Sequence, residues 1–241
     1  MGRTVALVLA PHPDDETFGC GGTLAALAAS DVDVFVQVIA QHGINTGGPA
    51  FDSAPVARGQ ELAKACAELG VADHNVMIEA GNYLDGLHTE VARLVEFLEK
   101  KSPIAIDKIR PQIVLLPARS AFHQDHKVVH QAAFAACRNR GAGHHSPPVV
   151  LGYLCPEDSW ATEVEQATCS IDVTPFYLQK QAALRCYSRQ LKPDPHPRSI
   201  TSIEHFDSLR GAHLGVGYAE AFVTYRTSLS FTTEPVQSWK L

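Results

Sequence analysis

Thr4-Val5-Ala6-Leu7-Val8-Leu9-Ala10, running directly into Pro11-His12-Pro13-Asp14-Asp15-Glu16, decides how this chain is read. The first seven residues are apolar and rich in Val and Leu, the length and composition of a buried strand. After Glu16, Thr17-Phe18-Gly19-Cys20-Gly21-Gly22-Thr23 leads to Leu24, Leu27 and Ala28 at helical spacing. A sharp strand-to-helix turn therefore carries one imidazole and three carboxylates, at the place where α/β sheets put their chemistry. Adjacent carboxylates repel, and their clustering costs stability unless a cation or a proton is shared among them. A metal ion supplies that cation. His12 and Asp15, three apart around a Pro-containing bend, are close enough to bind one ion, which leaves Asp14 pointing elsewhere and free to act as a base. The plain alternative is an acidic first turn favoured by the helix dipole, with Asp15 or Thr17 as cap.

Outward from this turn, strands and helices alternate. Val32 to Ile39 is a β-branched strand, and Ile44 to Pro55 is a long Gly/Pro/Asn/Ser-rich loop of the kind that is usually functional. Val56 to Leu69 reads as an amphipathic helix stopped by Gly70. On it Arg58 and Glu61 share a face, which by itself means no more than a surface ion pair. Val76 to Ile78 is a short strand, Gly81 to Gly86 a turn and His88 to Lys100 a helix, and the wholly apolar strand between Pro111 and Pro117 has the pattern of burial on both faces. This order predicts an α/β fold, a Rossmann-like three-layer α/β/α arrangement with a mostly parallel central sheet and right-handed crossovers.

A second cluster, His123-Gln124-Asp125-His126, follows that last strand and precedes an Ala-rich helix reaching Arg138. It lies just beyond the carboxyl end of a central strand, as the first cluster does, so the fold can bring the two together. His12, Asp15 and one histidine from here would form a two-His, one-carboxylate zinc site with an open position, the catalytic rather than the structural pattern. Spacing alone leaves the third ligand open. His126 and His130 stand four apart, but Lys127 occupies the place of the Glu in H-E-x-x-H, and His130 reads as a packed helix residue. Asp125 is the nearest acceptor to orient a ligand histidine, or to hold His123.

The 241 residues, 45% of them hydrophobic, suffice for a sizeable core. We expect one domain over 1–241, with a core over 1–155 and C-terminal helices and loops over 156–241 packed on it. A net charge of −6, with 20 basic and 26 acidic residues and no basic stripe, argues against nucleic acid as partner. No apolar run approaches the roughly 18 residues of a membrane span, and the N-terminus has no export signal. A cytoplasmic protein acting on a small molecule is expected, with homo-oligomerisation left open. The six cysteines are scattered and read as reduced thiols. Beyond Gly141 the pattern is less regular: strands over Val149–Leu154 and Thr168–Val173, a helix over Pro175–Arg189, and a stiff extended linker over Pro193–Pro197.

The A-x-H-P-D-D-E turn with Gly19-Cys20-Gly21-Gly22-Thr23, and the later H-x-D-H, resemble the PIG-L/LmbE-like family of zinc-dependent N-acetylglucosaminyl deacetylases. Arg58-x-x-Glu61-Leu62, Leu84-Asp85-Gly86-Leu87, the run Lys180 to Gln190 and Gly217-Tyr218-Ala219-Glu220-Ala221-Phe222 resemble further signatures of that family. The resemblance implies Zn2+ held by His12, Asp15 and His126, with Asp14 as general base. It further implies that His123 stabilises the oxyanion in protonated form or protonates the leaving amine, that Asp125 orients a histidine, and that Arg58 and Asp85 contact sugar hydroxyls. The reaction it implies is removal of the N-acetyl group from an N-acetylglucosamine-type amino sugar or its conjugate. The alternatives are a zinc amidase acting on a larger N-acyl or thiol-sugar conjugate, and a non-catalytic sugar-binding protein of the same fold; an ionised base beside a metal argues against the latter. The family's Thr-x-Gly-Glu after the second strand is replaced here by Gln41-His42-Gly43-Ile44, which bears on the substrate rather than on the metal chemistry.

Overall fold

The computed structural model describes residues 3–41, 55–78 and 91–228. In chain order its main elements are β1 (Thr4–Ala10), α1 (Asp15–Ala29), β2 (Val32–Ala40), α2 (Pro55–Leu69), β3 (Asp73–Ile78), α3 (Val91–Glu96), α4 (Ile106–Ile109), β4 (Ile113–Pro117), α5 (Gln124–Ala136), β5 (Val149–Tyr153), β6 (Cys169–Asp172), α6 (Tyr177–Cys186), α7 (Ile200–Leu214) and β7 (Ala219–Thr227). The strands form one sheet in the order β3-β2-β1-β4-β5-β7-β6. The first five are parallel, and β7 runs antiparallel to both of its neighbours.

The period-2 alternation of side chains explains why β1 is apolar throughout. Ala6, Val8 and Ala10 point to one face and pack with Leu24 of α1, Leu62 of α2 and Leu184 of α6. Leu7 and Leu9 point to the other and pack with Leu94 of α3 and with Val129 and Ala132 of α5. Helices cover both faces, which is the three-layer arrangement expected from sequence. From β1 the chain moves outward to β2 and β3, then returns to the other side of β1 for β4 and β5. The crevice at this reversal lies beyond the carboxyl ends of β1 and β4, where open α/β sheets bind ligands.

Helix α1 is broken at Cys20, whose φ of −151° is non-helical. A break exposes backbone N–H groups that a continuous helix would satisfy. Glu220 of β7 receives two of them, from Gly22 N at 2.9 Å and Thr23 N at 2.7 Å. Lys180 of α6 balances this buried carboxylate at 2.7 Å and also pairs with Asp207 of α7 at 2.6 Å. The glycines allow close packing here: a Cβ at Gly19 would overlap the Tyr153 ring, and one at Gly22 would lie 2.7 Å from Val173 Cβ.

The C-terminal segment departs from expectation in two places. It supplies α7 and the nine-residue β7, neither of which the apolar pattern indicated. The Pro193–Pro197 stretch, expected to be extended, is folded into successive turns in which His196 N donates to Pro193 O and Ser199 N to His196 O. The helix expected over His88–Lys100 is described from Val91 and ends in a π-helical turn, Phe97–Lys101, its start lying outside the described residues. The Ile44–Pro55 loop, His42 and the turn bearing Asp85 also lie largely or wholly outside them. All six cysteines are free thiols.

Candidate metal centre

Three buried side chains converge where β1 and β4 end. His12, Asp15 and His126 are 7%, 4% and 6% exposed, and each offers a ligand atom within 4.8 Å of the others. Asp15 Oδ2 is the hub: it accepts from His12 N at 2.9 Å and faces His12 Nδ1 at 3.3 Å and His126 Nε2 at 3.2 Å. On the far side of its ring, His12 Nε2 meets Asp125 Oδ2 at 2.9 Å. Asp125 thus orients a histidine of the first cluster, tying the two motifs together across 113 residues of sequence. Two imidazoles and a carboxylate, one imidazole backed by a second carboxylate, are a donor set suited to a divalent transition metal. Among the described residues this is the one group with that property.

The electrostatics of the protein alone show how tightly the cluster holds positive charge. Burial pushes the His12 imidazole down, but hydrogen bonds to Asp125 and Asp15 outweigh it and raise its pKa to about 9. His126 likewise rises despite burial, because of Asp15. Asp15 is held well below the usual carboxylate range by His126 and His12, against burial. A site that stabilises protons on two imidazoles beside an ionised carboxylate is one where a cation competes with those protons.

Asp14 is the N-cap of α1 and sits at φ 122°, a backbone region that L-residues rarely occupy. Such strain costs on the order of 1–3 kcal/mol and persists only where the surroundings enforce it. Glu16 does so here: its Oε2 accepts from Asp14 N at 3.0 Å, while Oε1 accepts from Thr17 Oγ1 and from Tyr187 OH, both at 2.6 Å. The Asp14 carboxylate is buried at 2% exposure and lies between two guanidinium groups. Arg58 Nη2 reaches it at 3.4 Å and also donates to Pro13 O at 2.8 Å, so this arginine is buried against the turn rather than lying on the surface. Arg198 Nη2 makes a close ion pair with Asp14 Oδ2 and stacks over the Phe18 ring at 4.4 Å. Burial and Asp15 raise the Asp14 pKa, whereas Arg198 and Arg58 oppose the rise.

His123 caps the N-terminus of α5, its Nδ1 accepting from Asp125 N at 3.1 Å. An accepting Nδ1 carries no proton, so the neutral ring bears its proton on Nε2. Burial also lowers its pKa. Its side chain is 42% exposed, and its ring centroid is 5.5 Å from that of His12 and 5.6 Å from that of His126. His130 is engaged elsewhere, hydrogen-bonded to Pro117 O at 2.9 Å and stacked on Phe134. The sequence assigns Arg198 no role, since it follows a Pro-rich stretch; its one cue is its place immediately before Ser199, the N-cap of α7.

Residues 7–137 match the family model described as PIG-L, GlcNAc-PI de-N-acetylase. The chain belongs to the PIG-L family. One relative is the "Probable N-acetyl-alpha-D-glucosaminyl L-malate deacetylase 2" of Bacillus subtilis (strain 168), 29% identical over 145 residues that cover 54% of this chain and 59% of that protein. With respect to this relative, therefore, the match spans less than two thirds of the protein's length. A second PIG-L relative is the "1D-myo-inositol 2-acetamido-2-deoxy-alpha-D-glucopyranoside deacetylase" of Salinispora arenicola (strain CNS-205), 26% identical with 78% of this chain and 76% of that protein covered. Among solved structures, the 4-carboxy-2-hydroxymuconate hydratase GalB of Pseudomonas putida KT2440 superposes with a TM-score of 0.72 at 15% identity, covering 95% of this chain and 99% of that one. A hydratase on this fold shows that the PIG-L architecture by itself does not choose the reaction. No described helix is long and apolar enough to cross a membrane.

Proposed function

We propose that this protein is a zinc-dependent N-deacetylase that hydrolyses the acetamido group of an N-acetylglucosamine-type amino sugar or its conjugate. The observation that carries the reading is the buried Asp14 carboxylate, held by two arginines beside a converging His12, Asp15 and His126. The family membership and the names of both relatives support the same reaction. His12, Asp15 and His126 would hold the ion, with Asp125 keeping His12 in orientation. Zinc in such a site supplies Lewis acidity toward an amide carbonyl and makes water more acidic.

The remaining chemistry belongs to the chain. Asp14 accepts the proton of the attacking water as a new C–O bond forms at the acyl carbon. His123 Nε2–H donates to the oxygen on which negative charge develops, a role typically contributing a hundredfold or more in rate. The C–N bond then breaks, the amine nitrogen takes the proton that Asp14 accepted from the water, and acetate leaves. Arg58 and Arg198 keep Asp14 ionised and aimed. Arg58 and Asp85 are the residues we assign to the sugar hydroxyls. We read residues 1–241 as one such catalytic domain, since strands β1 to β7 share one sheet, and place the protein in the cytoplasm.

The test is acetate release from a panel of N-acetylglucosamine derivatives by the zinc-loaded protein, with and without chelator. Chelator-sensitive release is expected from at least one. His126→Ala is expected to lower bound zinc sharply; full occupancy in that variant would reassign the ligand set, and no release from any derivative by the zinc-replete protein would overturn the reaction.

A further inference from the structure

At the end of the sheet opposite the metal centre lies a polar pocket of about 180 Å3, lined by Lys100, Asp107, Arg140, Ala142, Gly143 and His144. The π-helical turn Phe97–Lys101, α4 and the loop from α5 to β5 enclose it. That loop is tied to the start of β4, where His145 Nε2 donates to Pro111 O at 2.6 Å.

In a chain of net charge −6 this pocket is a positive exception. Arg138 and Arg140 share one buried carboxylate, that of Glu99, so two guanidinium groups face a single negative charge and Arg140 is held in place. The Lys100 ammonium forms neither an ion pair nor a hydrogen bond among the described residues. Gly141 and Gly143, on either side of Ala142, have φ of 83° and 89°. Turns of this kind set successive N–H groups side by side in a concavity that binds anions. Ala142 N and Gly143 N donate to no acceptor among the described residues, and a Cβ at either glycine would meet nothing within 4 Å. The negative end of α5 does not cancel this charge, because its last carbonyls are covered. Arg138 Nη1 donates to Ala135 O at 2.6 Å, His144 Nε2 to Ala136 O at 3.1 Å and Arg226 Nη1 to Cys137 O at 2.6 Å.

Asp107 is the one acidic residue of the lining, and it selects among anions. Its Oδ1 accepts from His145 N at 2.8 Å and faces His144 Nδ1 at 2.8 Å, whereas Oδ2 has no hydrogen bond among the described residues. A free carboxylate oxygen repels a fully deprotonated oxyanion but accepts from one that carries a proton. Near neutral pH inorganic phosphate keeps at least one proton, and sulfate keeps none. The volume is below the roughly 300–1,000 Å3 of sites for drug-sized ligands, which restricts the occupant to a small species. We propose that this pocket binds inorganic phosphate, with Lys100, Arg140 and the N–H groups of Ala142 and Gly143 on its oxygens and its O–H donating to Asp107 Oδ2.

The test is calorimetric titration of the zinc-loaded protein with phosphate and with sulfate at neutral pH and constant ionic strength. Phosphate is expected to bind at least tenfold more tightly than sulfate, and Asp107→Asn to bring the two within about twofold. Lys100→Gln and Arg140→Gln are each expected to weaken phosphate binding at least tenfold, whereas His126→Ala, at the other end of the sheet, leaves it within about twofold. Amide resonances of the wild-type chain provide a check free of substitution: those of Ala142 and Gly143 are expected to shift with the calorimetric midpoint. Phosphate binding that persists in both Lys100→Gln and Arg140→Gln, or that vanishes in His126→Ala, would place the anion at the metal centre and overturn the proposal. Equal binding of phosphate, sulfate and chloride would do the same by reducing the pocket to general screening, as would Ala142 and Gly143 amides that stay fixed through the titration.

Discussion

The two halves of the molecule build the candidate site in opposite ways. The N-terminal half, from β1 to α5, contributes His12, Asp14, Asp15, His123, Asp125 and His126 from two short runs at the ends of neighbouring strands. The C-terminal half contributes none of the converging ligands, yet it holds that turn in place. Arg198 grips Asp14, Tyr187 donates to Glu16, and Glu220, backed by Lys180, receives the N–H groups left open by the break in α1. Candidate ligands and base can be supplied by local sequence, whereas the charges that stabilise a strained, buried, acidic turn must come from outside it. Adjacent carboxylates cannot neutralise one another.

The sharpest way to break this division is Asp14→Asn. An amide at that position keeps the hydrogen-bonding shape but cannot take a proton, so kcat is expected to fall about 10²–10⁴-fold with bound zinc unchanged. Retained turnover would move the base to another residue. On the supporting side, Lys180→Met leaves Glu220 and Asp207 as buried carboxylates without their cation. Breaking such a pair costs about 3–5 kcal/mol, to be read as a lowered denaturant midpoint; a loss well under 1 kcal/mol would mean that the triad does not support α1.

Glu16 sharpens the comparison through pH. Burial raises its pKa from 4.5 to about 7, so between those values the folded protein keeps a proton that the unfolded chain has released. Stability from this group therefore falls as pH rises from about 4.5 to 7, by at most about 3 kcal/mol. Glu16→Gln is expected to flatten that dependence relative to wild type in unfolding curves across the window, and parallel curves would remove Glu16 from the account. The smallest effect is assigned to Arg198→Gln. Losing a cation beside Asp14 raises a pKa that burial already raises, so the acidic limb of the kcat/KM profile is expected to move to higher pH, with turnover lowered about tenfold and zinc content retained. An unshifted limb would reduce Arg198 to a structural contact.

The legibility of the fold follows the same division. β1 and β4 are apolar on both faces because helices cover both sides of a parallel sheet, and their runs stand out for that reason. α7 was not legible: its buried positions include Asp207 and Gly211 while Leu209 is 62% exposed, so no apolar stripe marks its inner face. The Pro-rich stretch before it has the composition of an extended linker, but its prolines serve equally in the turns that deliver Arg198. Of the site residues, Asp125 was expected to orient a histidine, and only the fold shows that the partner is His12. The hydrogen bond that holds His123 Nδ1 comes from a backbone N–H that exists only once α5 is capped.

By itself, the sequence determined the layered α/β class, the strand ends that carry the two clusters, and the residue types able to hold a cation beside a base. Those features depend on neighbours a few residues apart, which apolar periodicity and short motifs record. The tertiary structure alone decided which carboxylate backs which histidine, that Asp14 is strained and flanked by Arg58 and Arg198, and that a buried Lys180–Glu220–Asp207 triad caps a broken helix. These contacts join residues dozens to nearly two hundred positions apart. Their energies come from burial and charge proximity, which exist only after the chain has folded.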